Sequence, residues 1–237
     1  MQLSAKESRA YDALRENKLD IFRTTDLSTL LGISKTETYN ILKALKMKGT
    51  IQTVKNGVYT FKDVSEYTIG ARLNWPSYVS FRSALNYHGL TDNTPRKITY
   101  ASGRYHRETA DYRYVALSAK RFFGYSSAGD IPMADPEKAI IDSLLFPKHS
   151  GGIREIRQCL ESGIDSMSIK KLVDYALRMD SKAVCRRLGF LLDGIGVEER
   201  ELKKLRKNIG RGYELLDPSR EKKNDFDKKW LLDINSK

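Results

Sequence analysis

Cysteine is nearly absent from this chain of 237 residues. Only Cys159 and Cys185 occur, both in stretches with helical periodicity and neither at metal-ligand spacing. That excludes a disulfide scaffold, and the pair reads as reduced core thiols in a cytoplasmic protein. Histidine is almost as scarce: His88, His106 and His149 have no helical pairing with one another and no neighbouring cysteine, so no zinc site is expected. No apolar run is long enough to span a membrane, and Met1 leads straight into a charged amphipathic segment, so neither a span nor a secretory leader is expected. Gly-x-Ser-x-Gly, Walker and dinucleotide-binding fingerprints are all missing. No internal repeat or long low-complexity segment interrupts the chain.

What is present in excess is positive charge. Lys and Arg total 42 against 30 Asp and Glu, a net charge of +12. The excess is local: residues 1–62 hold 11 basic against 6 acidic residues, residues 96–125 hold 7 against 2, and residues 126–237 are nearly balanced at 22 against 19. Two basic surfaces point to nucleic acid as a partner, and for residues 96–125 solubility is an equal alternative. A hydrophobic content of 40% supports ordinary cores, and the length suits two domains.

Residues 19–61 predict a helix-turn-helix followed by a hairpin. Ser4-Ala5-Lys6-Glu7 is a capping box opening a first helix that carries Ala10, Tyr11 and Leu14. Thr25 or Asp26 starts a second helix with Leu27, Leu30 and Leu31 on its apolar face, and Gly32 stops it. Ser34-Lys35-Thr36-Glu37 reads as another capping box. In the helix it opens, Thr38, Ile41, Leu42 and Leu45 share one face, while Lys35, Thr36, Tyr39, Asn40 and Lys43 share the other. Gly49 ends that helix. Alternating residues around Asn56-Gly57 give a hairpin with Lys55 at its tip. This order is that of a winged helix-turn-helix, whose second helix enters the DNA major groove. Short polar side chains suit base edges and lysines suit phosphates. A helical module that binds protein is the alternative.

The expected domains are a winged helix over residues 1–62, a connection over 63–74 and an α+β domain over 75–237. In the last, a helix runs from Ser80 to Gly89. Strands are expected at Lys97–Ser102, Tyr112–Ser118, Arg121–Tyr125 and Ile131–Ala134, forming a small, mainly antiparallel sheet. Asp135-Pro136-Glu137 opens a helix, with Asp135 as N-cap and Glu137 favoured by the helix dipole. A helical tail follows at 153–161, 168–179, 181–194 and 198–208, and the chain from 211 onward reads as looser.

Catalysis finds little footing. Asp135 and Asp142 lie about two helical turns apart, and Glu137-Lys138 lacks the spacing of a nuclease Glu-x-Lys, so no metal, cofactor or enzymatic activity is expected. Arg82, Arg96, Arg104, Arg107 and Arg113 form a candidate second basic surface. Tyr105, His106, Tyr112 and Tyr114 interleave with them, which suits stacking on bases but equally describes a half-buried strand.

Residues 77–102, SYVSFRSALNYHGLTDNTPRKITYAS, resemble the core of the AbiEi-type antitoxins, regulators of phage-defence toxin–antitoxin operons. The resemblance rests on Ala84-Leu85, His88-Gly89-Leu90 and Pro95, then on Ala134-Asp135-Pro136-Glu137-Lys138-Ala139 with Asp142. Gly151-Gly152, Arg187-Leu188-Gly189-Phe190-Leu191-Leu192 and the closing Trp230 to Asn235 also match it. With the N-terminal module it covers most of the chain, through the order of motifs, none of which is specific alone. It implies an N-terminal winged helix that represses its own operon by binding double-stranded operator DNA. It also implies a C-terminal domain that counteracts a nucleotidyltransferase-like toxin without a stable complex. A stand-alone transcription regulator without a toxin, or a nucleic-acid-processing enzyme, are the alternatives.

Overall fold

The chain divides into two units between Leu73 and Asn74 in a computed structural model that describes residues 2–236. Unit 1 runs through α1 (Ala5–Glu16), β1 (Ile21–Arg23), α2 (Thr24–Leu31), α3 (Lys35–Met47), β2 (Ile51–Lys55), β3 (Val58–Phe61) and α4 (Glu66–Leu73). Its strands form an antiparallel sheet in the order β1-β3-β2. Ala10, Leu14, Phe22, Leu27, Ile41, Leu42, Leu45, Ile51 and Phe61 make the core, one apolar stripe from each element.

The start of α1 is the expected capping box: the Ser4 hydroxyl accepts the Glu7 N–H, and the Glu7 carboxylate accepts the Ser4 N–H at 2.7 Å. The same carboxylate takes Lys48, just past α3, at 2.5 Å, which holds its pKa below the usual range and ties α1 to α3. The box at Ser34 is only half made. Ser34 accepts the Glu37 N–H at 3.2 Å, but the Glu37 carboxylate is taken by Lys6 at 2.7 Å, because an ammonium is a stronger donor than a neutral amide. At the hairpin tip only Gly57 is left-handed, at φ 71°, and the register shifts between Thr53 and Lys55. The turn is therefore not the doubly left-handed form that Asn-Gly favours.

Two further differences complete unit 1. Ile21–Arg23 pairs with β3 as a third strand, which its short length hid. The expected connection over 63–74 contains α4, whose Thr68, Ile69, Gly70 and Ala71 are buried.

Unit 2 contains β4 (Ser77–Val79), α5 (Phe81–Tyr87), β5 (Ile98–Ser102), β6 (Arg107–Glu108), β7 (Tyr112–Ala116), β8 (Tyr125–Ala128), β9 (Ile131–Ala134) and α6 (Pro136–Leu145). Then come α7 (Ile153–Gly163), α8 (Ile169–Arg178), α9 (Lys182–Ile195), α10 (Glu199–Arg206), β10 (Glu214–Leu215), β11 (Phe226–Asp227) and β12 (Leu232–Asp233). The fold of the chain is mixed α+β. The main sheet has six strands in the order β6-β7-β5-β4-β9-β8. It is mixed, not mainly antiparallel: β5 pairs with β7, and β4 with β9, in parallel. Each parallel partner is separated in sequence by intervening structure, so no hairpin signal betrays the pairing. The strand expected at Arg121–Tyr125 is also replaced. A 3-10 turn covers Ala119–Arg121, Gly124 is left-handed at φ 71°, and the strand begins only at Tyr125. A Cβ on Gly124 would stand 2.9 Å from the Tyr175 ring and 3.1 Å from Lys138, so the chain passes there only as glycine.

Helix α6 is the hub of unit 2. It packs on α5, α7, α8 and α9, and every residue from Glu137 to Leu144 is buried. Its polar residues form a network. Lys138 and Asp142, both fully buried, make an ion pair one turn apart. The other Asp142 oxygen accepts the Tyr78 hydroxyl at 3.1 Å and the Ser80 hydroxyl at 2.8 Å, tying β4 and the start of α5 to α6. Burial pushes the Lys138 ammonium below the ordinary lysine range, partly countered by Asp142 and reinforced by the charges of Arg178 and Arg121, and the Phe123 ring lies 4.6 Å from the ammonium.

The tail is more ordered than its sequence implies. Arg187 donates to the carbonyls of Leu144 at 2.8 Å and Leu215 at 3.1 Å, joining α9 to the end of α6 and to β10. β10, β12 and β11 form a small sheet, and Asn235 exchanges hydrogen bonds with the Asp217 backbone at 2.8 and 2.9 Å. Trp230 is fully buried against Gly189, where a Cβ would collide with the indole. Among the described residues no helix is long and apolar enough to cross a membrane.

Truncating one member of the α6 network leaves an uncompensated charge in a dry interior. Asp142→Ala is expected to cost about 3–5 kcal/mol, whereas Lys138→Met combined with Asp142→Leu recovers the greater part, as read from urea midpoints at pH 7.

Candidate functional site

Two surfaces stand out, one in each unit. In unit 1, α3 turns Thr38, Ile41, Leu42 and Leu45 into the core. Lys35, Thr36, Tyr39, Asn40, Lys43, Lys46 and Met47 are all exposed. Lys55 and Asn56 are exposed at the hairpin tip. Each side chain that the sequence assigns to DNA contact is thus presented to solvent. Their charge is also unspent. Lys6, Arg15, Lys48 and Arg72 each meet a carboxylate, namely Glu37, Asp63, Glu7 and Asp20. Among the described residues, Lys35, Lys43, Lys46 and Lys55 meet none. The short loop that aims α3 depends on Gly32, left-handed at φ 64°, and on Ser28, whose hydroxyl donates to the Ile33 carbonyl at 2.8 Å.

In unit 2, a cleft of about 360 Å³ is lined by Arg82 from α5, residues 94–97 before β5, Thr99 on β5, Arg113 on β7, and Lys148, His149 and Gly151 after α6. It gathers Arg82, Arg96 and Arg113 from the expected second basic surface. Lys97, Lys148 and His149 are not part of that expected surface, because nothing local places residue 148 beside residue 96. Arg104 and Arg107 do not line the cleft; both are exposed nearer β6.

Charge in the cleft is only partly compensated. Glu108 pairs with Lys97 at 2.7 Å and Arg113 at 3.1 Å, and these partners pull its carboxyl down to about 2. Burial acts against the Glu155 carboxylate, but hydrogen bonds from Asn93 and Thr91 and the charge of Arg82 hold it below its ordinary range. Arg96 and Lys148 have no carboxylate partner among the described residues. The Arg82 Nε is buried without a hydrogen-bond partner.

The acids at the start of α6 are not disposed as the sequence implied. Asp135 makes no side-chain cap. Its carboxylate accepts the Tyr175 hydroxyl at 2.9 Å and pairs with Lys171 at 3.0 Å, and Glu137 shares that lysine and accepts the Ser168 N–H, both at 3.0 Å. They fasten α6 to α8. Among the described residues no group of three His, Cys, Asp or Glu could hold a metal ion. Cys159 and Cys185 are free and buried, and burial raises both thiols to about 11.

His149 carries a pH signature. Burial, then the charges of Arg113, Lys148 and His106, depress it from 6.5 to about 4, with Glu108 opposing. The unfolded chain therefore binds a proton between pH 6.5 and 4 that the folded chain does not, so stability falls as pH falls through that window. Going from pH 7 to 5.5 is expected to remove about 1 kcal/mol through this residue. In paired urea titrations, His149→Gln should lose that part of the slope; an unchanged slope would show that His149 titrates normally.

Comparison with known proteins places the fold but not the role. No protein-family model matches the chain, and no curated protein matches it either. Among solved structures, the crystal structure of the RV2827C protein from Mycobacterium tuberculosis is similar, with a TM-score of 0.68 over 98% of this chain and 92% of that one. At 15% identity this is a likeness of fold, and it extends over both units.

Proposed function

We propose that the chain is a cytoplasmic, sequence-specific DNA-binding regulator of the AbiEi antitoxin type. In this reading unit 1 is a winged helix-turn-helix, with α2 and α3 as the helix pair and β2–β3 as the wing. The observation that carries it is the outer face of α3: polar, basic and exposed, its lysines without a carboxylate partner among the described residues, on a helix anchored by four buried side chains. An isolated charged face left uncompensated in this way suits phosphate and base-edge contact. The element order and the β1-β3-β2 sheet support the same reading.

Unit 2 takes the second half of the role that the resemblance implies, opposing a nucleotidyltransferase-like toxin without a stable complex. Support comes from the motif residues, which fall on the packing joints of this unit: Lys138 and Asp142 in α6, Arg187 and Gly189 in α9, and Trp230 and Asn235 in the tail. They hold the unit together and leave its surface to act. No group in this reading breaks or forms a covalent bond, and DNA is its only direct partner.

The test uses the full chain and DNA from upstream of its own reading frame, titrated at several salt concentrations. Asn40→Ala is expected to cost about 1–3 kcal/mol at the specific site and little on unrelated DNA. Lys43→Ala should weaken binding to all sequences and lower the salt slope by about one. Unchanged affinity in both variants, with melting intact, removes α3 as the recognition helix.

A further inference from the structure

The cleft of unit 2 has a use that a duplex-binding surface does not explain. Four separate stretches of chain converge on it: the start of α5, the segment before β5, β7, and the turn after α6. They bring five cations, Arg82, Arg96, Lys97, Arg113 and Lys148, around a concavity of about 360 Å³. Against them stand Glu108, which engages Lys97 and Arg113, and Glu155 near Arg82. The surplus is positive and gathered in a half-open concavity.

The local backbone is bent to serve this arrangement. Phe81, a bulky residue, is left-handed at φ 54°, a strained conformation that persists only where surroundings impose it. Its ring is fully buried and meets His149 edge-on at 5.6 Å. The next residue is Arg82, whose guanidinium lies over Gly151, where a Cβ would occupy its place. Gly151 is itself left-handed at φ 85°. The Arg82 Nε is buried without a hydrogen-bond partner, so the guanidinium is only partly satisfied within the protein.

We propose that this cleft binds a polyphosphate anion of the size of a nucleoside di- or triphosphate. Guanidinium forks grip phosphate oxygens in pairs, and Lys148 supplies a point charge at the rim. Thr94 adds an exposed hydroxyl, and Pro95 gives an apolar wall. The volume falls in the range of small-ligand clefts, whereas the phosphates of a duplex lie on a convex rod and are met by protruding groups. His149 stays neutral at pH 7 and so adds a polar ring edge without repelling neighbouring cations. The assignment goes beyond the DNA-binding reading and does not depend on it.

Calorimetric titration of the full chain with pyrophosphate, ATP and inorganic phosphate tests it. One saturable site is expected for pyrophosphate and for ATP, at least tenfold tighter than for inorganic phosphate. The double variant Arg96→Gln with Lys148→Gln changes two exposed, unpaired side chains, so folding should be kept while binding weakens more than tenfold. Gly151→Ala should weaken it as well, by displacing Arg82. Asn40→Ala on α3 should leave it unchanged, so this assignment and the DNA reading can fail separately. Absence of saturable binding at millimolar concentrations overturns the proposal, as does binding that the double variant leaves intact. Unrelated duplex DNA displacing ATP stoichiometrically through these same residues also overturns it, by making the cleft a nucleic-acid backbone contact.

Discussion

The ion pair between Lys138 and Asp142 is the constraint on which unit 2 is organised. Two opposite charges with no solvent access are tolerated only when each satisfies the other and the remaining lone pairs are filled. Tyr78 and Ser80 fill them, and this draws β4 and the beginning of α5 onto α6. From there the geometry propagates. Ser80 precedes the left-handed Phe81, which aims Arg82, and the Ser83 hydroxyl accepts the Thr99 N–H at 2.8 Å, fixing β5 beside α5. The basic cleft is thus framed by elements that the buried pair positions, although no member of the pair lines it.

Unit 1 works by a different economy of charge. Its acids are used to fasten helices, Glu7 holding Lys48 and Glu37 holding Lys6, while the cations of the outer α3 face have no carboxylate partner among the described residues. The consequence for the proposed DNA contact is mechanical. Ridges of Thr38, Ile41, Leu42 and Leu45 hold the helix rigidly from behind, so its exposed side chains are presented from a fixed base and not from a mobile loop.

The likeness to the RV2827C structure at 15% identity is one of fold alone. What this chain spends its unusual residues on is interior fastening. Arg186, buried, donates to the Ile209 carbonyl through two nitrogens, at 3.0 and 2.6 Å, and Arg187 caps the end of α6. Arginines so placed satisfy orphan backbone carbonyls and complement a helix C-terminus. They are therefore spent on structure and contribute nothing to the basic surfaces, which shows why net charge alone overstates what is available to a partner.

The sequence by itself determined the local elements wherever one face of a helix or one turn carries the information. The α1 capping box, the Gly32 stop, the apolar stripe and exposed face of α3 and the helices of unit 2 are all legible from periodicity and caps, because those signals act within a few residues. It misjudged structure wherever a partner lies far away in the chain. Ile21–Arg23 is a strand only because β3 is beside it, and α4 is ordered by burial. The parallel pairs of the main sheet have no local signature, and Asp135 finds Lys171 and Tyr175 instead of its own helix. The cleft follows the same rule. Arg82, Arg96 and Arg113 could be named as basic, but only tertiary structure could separate them from Arg104 and Arg107 and add Lys148 and His149, since convergence of distant charges is decided by packing and not by spacing.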